Sequence, residues 1–459
     1  VSVPKIFRSS DVGAPVMLGV PGTLISLLDA CLVDGYGGTF ATGALTGDGT
    51  APADGDTVTI GSITYTFKTS IAAQPAYSIA VGSNTNVSFQ RLQEAIHASG
   101  TANYTAGTIA HPDVWVSTAG NVMSVAARKG GSAGNSIALA RAAAGTPHIS
   151  VSGATLTGGG GTNTKTSAGW TKPFTGPTAF AQAVYKQPAG CGFYLQVDDN
   201  GPGIGLGAEA RTFGFETMSA YNVGTGQFPT VAQNTGGGVL HKAVFTARDV
   251  VRPWLLIADD RTFYLFIVTG DQSVSYVGYS FGDFYSFNPT DLYKCLVIGK
   301  NAESSSNVST HPFPQGAIVQ TTGAVSGAGH WLSRNFTGLG GPTAFVKSID
   351  LGLSGASVNE LTGPMLFPNG SDGGLYVAPV RIVDASTPAV SLTGNLNLRG
   401  RMRGLWHAPY PVASFADGDT FSGSGELAGR NFMVVKPVIG ASGSSSLVVI
   451  ETTAWDTSA

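Results

Sequence analysis

Apolar residues recur along most of this chain with a period of two, the pattern of extended strands that turn one face toward a core. Val58 and Ile60 lead through Gly61-Ser62 to Ile63, Tyr65 and Phe67, which predicts a two-residue hairpin. Val114 to Ser117 and Val122 to Ala126 flank Gly120-Asn121 in the same way. Trp254 to Ala258 and Thr262 to Val268 are joined by Asp259-Asp260-Arg261, and Phe193, Leu195 and Val197 share one side of a strand ending at Asp198-Asp199-Asn200-Gly201. Two segments carry a helical period instead. In the first, Thr23 is placed as N-cap, Leu24, Leu27, Leu28, Cys31 and Leu32 form one face, and Gly35 supplies the stop. The second runs from about Asn86 to Ser99, with Phe89, Leu92 and Ile96 on its apolar face and Gly100 as terminator.

Few stretches between strands are long and periodic enough to be crossover helices, so a parallel βαβ sheet is not expected. The pattern predicts a mainly β fold: an antiparallel sandwich or barrel-like main body with few helices, whose strands keep one solvated face. Two tracts rich in Gly, Thr, Ser and Ala, Gly38 to Asp56 and Gly153 to Gly169, read as loose linkers. Between them lies a self-contained run of hairpin, helix, hairpin and final strand. The expected organisation is a discontinuous body of residues 1–45 and 166–459, with a small β-rich module, 46–165, inserted into it; insertion requires its two junctions to lie close together. Gly-rich stretches at 201–207, 234–238, 323–329 and 370–374 read as connecting loops.

Composition narrows the function classes. The 459 residues suffice for two to four domains at about 100 to 200 residues each. Charged residues are only 12% of the chain, while Lys and Arg number 25 against 28 Asp and Glu. So slight a balance lacks the basic field needed for non-specific nucleic-acid binding or docking on an anionic membrane. No uninterrupted apolar run is long enough for a membrane helix, and no secretion signal is legible at the N-terminus. Cys31, Cys191 and Cys295 match no disulfide or zinc spacing and are read as buried free thiols. The scarcity of charge is accounted for if much of the surface faces other protein subunits, since interface cores are depleted of charge.

Individual motifs carry little chemistry. Gly130-Gly131-Ser132-Ala133-Gly134 has the G-x-S-x-G spacing and is followed by a possible helix at Asn135 to Ala144. It sits among hairpins, with His148 the one nearby imidazole, and Ser132 is read as part of a turn. Asp198-Asp199 and Asp259-Asp260 stand at expected turns, and successive strand residues point to opposite faces, so neither pair can serve as the two carboxylates of a glycosidase. The seven histidines, His97, His111, His148, His241, His311, His330 and His407, show no metal-ligand spacing. No catalytic residue, cofactor or metal is expected. Arg399, Arg401 and Arg403 alternate along one side of a strand. They are candidate inter-subunit contacts through bidentate pairing with carboxylates, the alternative being an ordinary solvated strand face. Trp170, Phe174, Trp254, Trp331 and Trp406 are expected to fill the core or an interface.

Several stretches resemble virion structural proteins of tailed bacteriophages. They are Asp11-Val-Gly-Ala-Pro-Val16 with Leu24 to Gly37, Gly169-Trp-Thr-Lys-Pro-Phe-Thr-Gly176, Phe193-Tyr-Leu-Gln-Val-Asp-Asp199, Gly224-Thr-Gly-Gln-Phe-Pro-Thr230, Arg252 to Phe266, Phe281-Gly-Asp-Phe-Tyr-Ser286 and Ala416 to Gly423. The 46–165 segment, with Tyr65-Thr-Phe-Lys68, Ala110-His-Pro-Asp-Val114 and Ala133-Gly-Asn-Ser-Ile137, is similar to immunoglobulin-like or adhesin-like β modules inserted in phage tail proteins. The resemblance implies assembly rather than catalysis: a homo-oligomeric tail component such as a ring, nozzle, baseplate or fibre-attachment protein. It would be made in the host cytoplasm, incorporated into the virion and partnered by other virion proteins. A capsid or head-vertex decoration protein is the alternative within that family. A host-glycan-binding adhesin or depolymerase is the alternative outside it, using either the inserted module or a groove near Glu216, Arg211, Phe213 and Phe215.

Overall fold

A computed structural model gives the architecture, described for residues 2–100, 102–200, 208–231, 236–244, 247–270, 277–300, 328–334, 338, 345–349, 377–385, 396–408, 415–435 and 447–455. The loops expected at 201–207, 323–327 and 370–374 lie outside these residues, as does His311. The body is built on an eleven-stranded antiparallel sheet. Ten strands follow the order Lys5–Arg8, Trp254–Ala258, Thr262–Ile267, Val277–Asp283, Cys295–Lys300, Gly238–His241, Glu209–Phe215, Tyr194–Asp198, Gln182–Lys186 and Thr171–Thr175, and Ala328–Leu332 adds to Cys295–Lys300. A seven-stranded sheet runs Phe345–Ile349, Ala378–Ala385, Leu396–Ala408, Leu447–Glu451, Asn431–Val435 and Thr420–Ser422. Its remaining strand, Tyr285–Ser286, pairs with Leu396–Ala408 and follows the main-sheet strand Val277–Asp283 after one residue, so the chain steps from one sheet to the other at Phe284. The fold is thus mainly β and sandwich-like, with no closed barrel among the described residues.

The expectation of one solvated face fails at the centre of this sandwich. Trp254–Ala258 and Thr262–Ile267 are buried at every position. Their side chains alternate between two cores: Leu256, Ala258, Phe263 and Leu265 join Leu24, Leu27, Leu28 and Trp170, while Leu255, Ile257, Tyr264 and Phe266 join Met402, Leu405, Val448 and Ile450 of the second sheet. The period of two survives, but both faces of the pleat are dry, so apolar residues run continuously.

The first helix, α1 (Thr23–Leu28), passes into a π-helical stretch Asp29–Asp34 that ends at Gly35, whose φ of 76° is one that glycine adopts without steric cost. Leu24, Leu27, Leu28, Cys31 and Leu32 are all buried. Thr23 is not the N-cap. Gly22 occupies that position, Thr23 turns its hydroxyl to the Leu18 carbonyl (2.7 Å), and the Leu24 N–H is capped by the distant Asp199 carboxylate (2.9 Å).

Residues 41–156 supply a separate core. One four-stranded sheet runs Val114–Ala119, Val122–Ala127, Thr42–Gly47, Ile149–Val151, and another Ser78–Ala80, Ile63–Lys68, Thr57–Ile60, Leu139–Ala142. Helix α2 (Thr85–His97) is capped by the Asn84 side chain, which accepts from the Val87 N–H at 2.9 Å, and buries Phe89, Leu92 and Ile96. The helix and the parallel pairing of Ile63–Lys68 with Ser78–Ala80 differ from an immunoglobulin-like sandwich of antiparallel strands. The linker-like tract 38–56 contains the strand Thr42–Gly47, which lies inside its sheet and spans the boundary expected at 46. Gly47 is needed there because an added Cβ would overlap the Thr85 side chain. Entry to and exit from this unit run side by side: the Tyr36 N–H donates to the Lys165 carbonyl at 3.0 Å, and the Lys165 N–H donates to the Tyr36 carbonyl at 2.8 Å.

Because the two units have separate cores, Phe89→Ala should destabilise by about 3–5 kcal/mol and accelerate amide exchange within residues 41–156, while the main sheet keeps its protection. Equal acceleration in both, read by hydrogen exchange, would show a single cooperative unit.

Candidate functional site

The three aligned arginines lie on the long strand Leu396–Ala408. Two of them point into the protein. Arg399 makes a bidentate pair with Asp291, Nε to Oδ2 at 2.9 Å and Nη2 to Oδ1 at 3.0 Å, and also donates to the carbonyls of Tyr293 and Arg334. Its guanidinium lies 5.4 Å from the Phe284 ring centre. Arg403 pairs with Asp259, and both side chains are buried. Arg401 alone of the three is partly exposed, stacked 4.9 Å from the ring centre of Tyr285. The expectation of three equivalent guanidinium groups on one surface is therefore replaced by two internal ion pairs and one surface stack. Register shifts against Ala378–Ala385, one at Arg399 and one between Arg401 and Trp406, interrupt the regular pairing and carry the three side chains into different surroundings.

Asp291 organises the loop between Ser286 and Lys294. Its carboxylate accepts from the Ser286 hydroxyl and the Tyr293 N–H, each at 2.9 Å, in addition to Arg399. Burial pushes its carboxyl up, and the Arg399 guanidinium with these donors outweighs that and holds it below the usual range. Beside it, Arg334 stacks 4.1 Å from the Tyr293 ring centre and grips both Glu216 oxygens at 2.6 Å. On this doubly pinned loop Phe287 is 50% and Leu292 is 72% exposed, and Phe287 meets Tyr285 edge-on at 6.2 Å. The result is a loop tip with two exposed apolar residues, Phe287 beside the Arg401–Tyr285 stack and Leu292. It is held by the Arg399–Asp291 fork and by Arg334, which stacks on Tyr293 while forked to Glu216. Glu216, named by the glycan reading, is consumed by one of those forks.

The acid pairs do form turns, but their inner members do more. Asp259 receives the N–H groups of Arg261 (2.9 Å) and Thr262 (2.8 Å) as a turn residue, while pairing with Arg403. Asp198 accepts from the Asn200 N–H at 3.1 Å, whereas Asp199 is fully buried against Lys242. Asp283, also buried, accepts from Gln187 Nε2 (3.1 Å) and the Cys191 N–H (3.0 Å). Burial drives its carboxyl up to about 6 despite these bonds.

The remaining candidates are placed plainly. Ser132 is exposed at the start of a 3-10 turn, Ser132–Ser136, and the strand Leu139–Ala142 stands in place of a helix over Asn135 to Ala144. His97 pairs with Asp249 and His148 with Asp48, His111 contacts the Ile60 carbonyl, and His241 lies against Glu209. Among the described residues no three potential ligands gather around a metal position. Cys31 and Cys295 are buried free thiols as expected; Cys191 is only half-buried. Trp170, Trp254, Trp331 and Trp406 are buried within the chain and Phe174 is half-buried. Lys242 and Asp291 were not singled out from sequence. Lys242 carries a signal, a lone charge inside Gly-Val-Leu-His-Lys-Ala-Val; Asp291 looks like any polar loop residue. The chain matches no protein-family model and no curated protein.

Two outcomes follow from these pairs. Asp291→Ala, which leaves Arg399 buried without its carboxylate, should cost about 3–5 kcal/mol and open the 286–294 loop to proteolysis. Asp283 holds a proton in the folded chain between its ordinary 3.8 and about 6. Its contribution to stability therefore declines as pH rises through that window, by roughly 3 kcal/mol in total. Asp283→Asn should flatten that decline in denaturant titrations run between about pH 4 and 7; an unchanged slope would show that Asp283 is not the group responsible.

Proposed function

We propose that this chain is a structural subunit of a tailed-bacteriophage virion, a tail-associated component that acts by packing against copies of itself and against other virion proteins. The supporting observation is the pinned loop carrying Phe287 and Leu292. An apolar tip held rigid from beneath loses little conformational freedom on docking, and aromatic and arginine side chains carry a large share of the energy at protein contacts. The internal use of charge agrees with the reading: Asp199–Lys242, Asp259–Arg403, Asp291–Arg399 and Glu451–Arg430 are paired within the chain, which lowers the surface charge below what composition implies. The resemblance of the body segments to virion proteins supports the reading of a phage particle, assembled in the host cytoplasm. The occupant of the tip is a second copy of the chain.

Light scattering coupled to size exclusion should report a mass that is a multiple of 46.8 kDa. The double variant Phe287→Asp/Leu292→Asp should shift it to the single chain with unchanged thermal unfolding. A wild-type chain that stays monomeric at all concentrations, and does not add to partially assembled particles, would remove the proposal.

A further inference from the structure

Asp199 and Lys242 flank the strand Glu209–Phe215: Asp199 follows Tyr194–Asp198 on one side, and Lys242 follows Gly238–His241 on the other. Both side chains are 0% exposed. Lys242 Nζ bonds Asp199 Oδ1, donates to the Val20 carbonyl at 2.5 Å, and lies 3.5 Å from the Thr23 hydroxyl. Asp199 Oδ2 receives the Leu24 N–H at 2.9 Å. The backbones are fixed as well: Asp199 N–H donates to Ala181 and Lys242 N–H to Ala208, both at 2.7 Å. An amine and a carboxyl are thus held in contact, away from water, with a backbone donor on the second carboxyl oxygen.

We propose that Lys242 and Asp199 become joined after folding by a side-chain amide, an intramolecular isopeptide bond. A proton first crosses the Nζ–Oδ1 hydrogen bond, converting ammonium and carboxylate to amine and carboxylic acid. The Nζ lone pair then attacks Cγ, and the C=O electron pair moves onto Oδ2, where the Leu24 N–H stands at the distance an oxyanion donor requires. When the carbonyl re-forms, Oδ1 departs as water, carrying the hydrogen of the acid and one from the amine. One N–C bond forms, one C–O bond breaks, and no oxidant or other reactant is needed.

Burial favours the neutral reactants: it raises the Asp199 carboxyl to about 6 and lowers the Lys242 ammonium, and the nearby Arg128 cation further disfavours charge on Lys242. Two groups held in reactive contact behave as if at an effective concentration of about 10⁵ M or more, which offsets the unfavourable balance of amide formation in dilute water. The product also replaces two buried charges with one neutral amide. The bond would tie together the two strands on either side of Glu209–Phe215.

The test is the mass of the purified full chain under denaturing conditions, expected to be one water below the sequence mass. Trypsin should release a branched peptide in which residues 187–211 are joined to 212–248, because an acylated Lys242 resists cleavage. Lys242→Arg and Asp199→Ala should each return the full mass. The wild-type measurement decides the matter even if those variants fail to fold. A full-mass chain cut after Lys242, or a water loss mapping to a linear peptide at an Asp-Gly step, would overturn the proposal.

Discussion

Because the central strands Trp254–Ala258 and Thr262–Ile267 are covered by the core around α1 on one side and by the second sheet on the other, carboxylates at one end of the sheet sit where water does not reach. Asp199 is buried in the same way beneath the start of α1. A charge in that position must find a partner or become neutral. Asp199, Asp259 and Asp283 all stand at strand ends. Asp199 meets Lys242, Asp259 meets Arg403, and Asp283 is held by Gln187 and the Cys191 N–H with its carboxyl pushed upward. The burial of Asp259 follows from that double coverage, and that of Asp199 from its place under α1. Such pairing also explains how so few charged residues suffice, since several of them cancel internally.

The same constraint shapes the surface. Arg399 and Arg334 reach from different parts of the body to hold Asp291 and Glu216. Planar forks of this kind fix orientation as well as charge. The loop they fasten presents Phe287 and Leu292 on a support that is already ordered, which is what a surface built for repeated packing requires. The assembly reading rests on this combination of rigid support and exposed apolar tip.

Among the described residues several contacts fasten the unit containing α2 to the body, an exposed Lys129–Asp34 pair at 3.4 Å among them. Its entering and leaving segments pair with each other at Tyr36 and Lys165. At the C-terminal end of α2, His97 Nε2 accepts from the Val116 N–H at 3.2 Å, leaving Nδ1 to donate to Asp249 of the body at 2.5 Å. The buried imidazole thereby connects the unit's own sheet to a body carboxylate. This tie gives the inserted unit a defined orientation, which a pair of adjacent linkers alone would leave free to swing.

The one-dimensional pattern determined the local elements. The hairpins at Gly61-Ser62 and Gly120-Asn121 are where turn residues between alternating apolar runs require them, and the face Phe89, Leu92 and Ile96 of α2 is buried as its spacing demands. Insertion of residues 46–165 asked only that its two junctions lie close together; the pairing of Tyr36 with Lys165 lies ahead of the boundary expected at 46. What sequence did not contain was the far side of each contact. Thr23 is a good N-cap by type, yet Asp199 caps the helix; Arg399, Arg401 and Arg403 look equivalent, yet two are buried in pairs and one is at the surface. Strand periodicity depends on neighbours in sequence and is therefore readable. Whether a strand has one dry face or two, and which carboxylate meets which cation, depends on layers contributed by residues hundreds of positions away, so only the tertiary structure decided it.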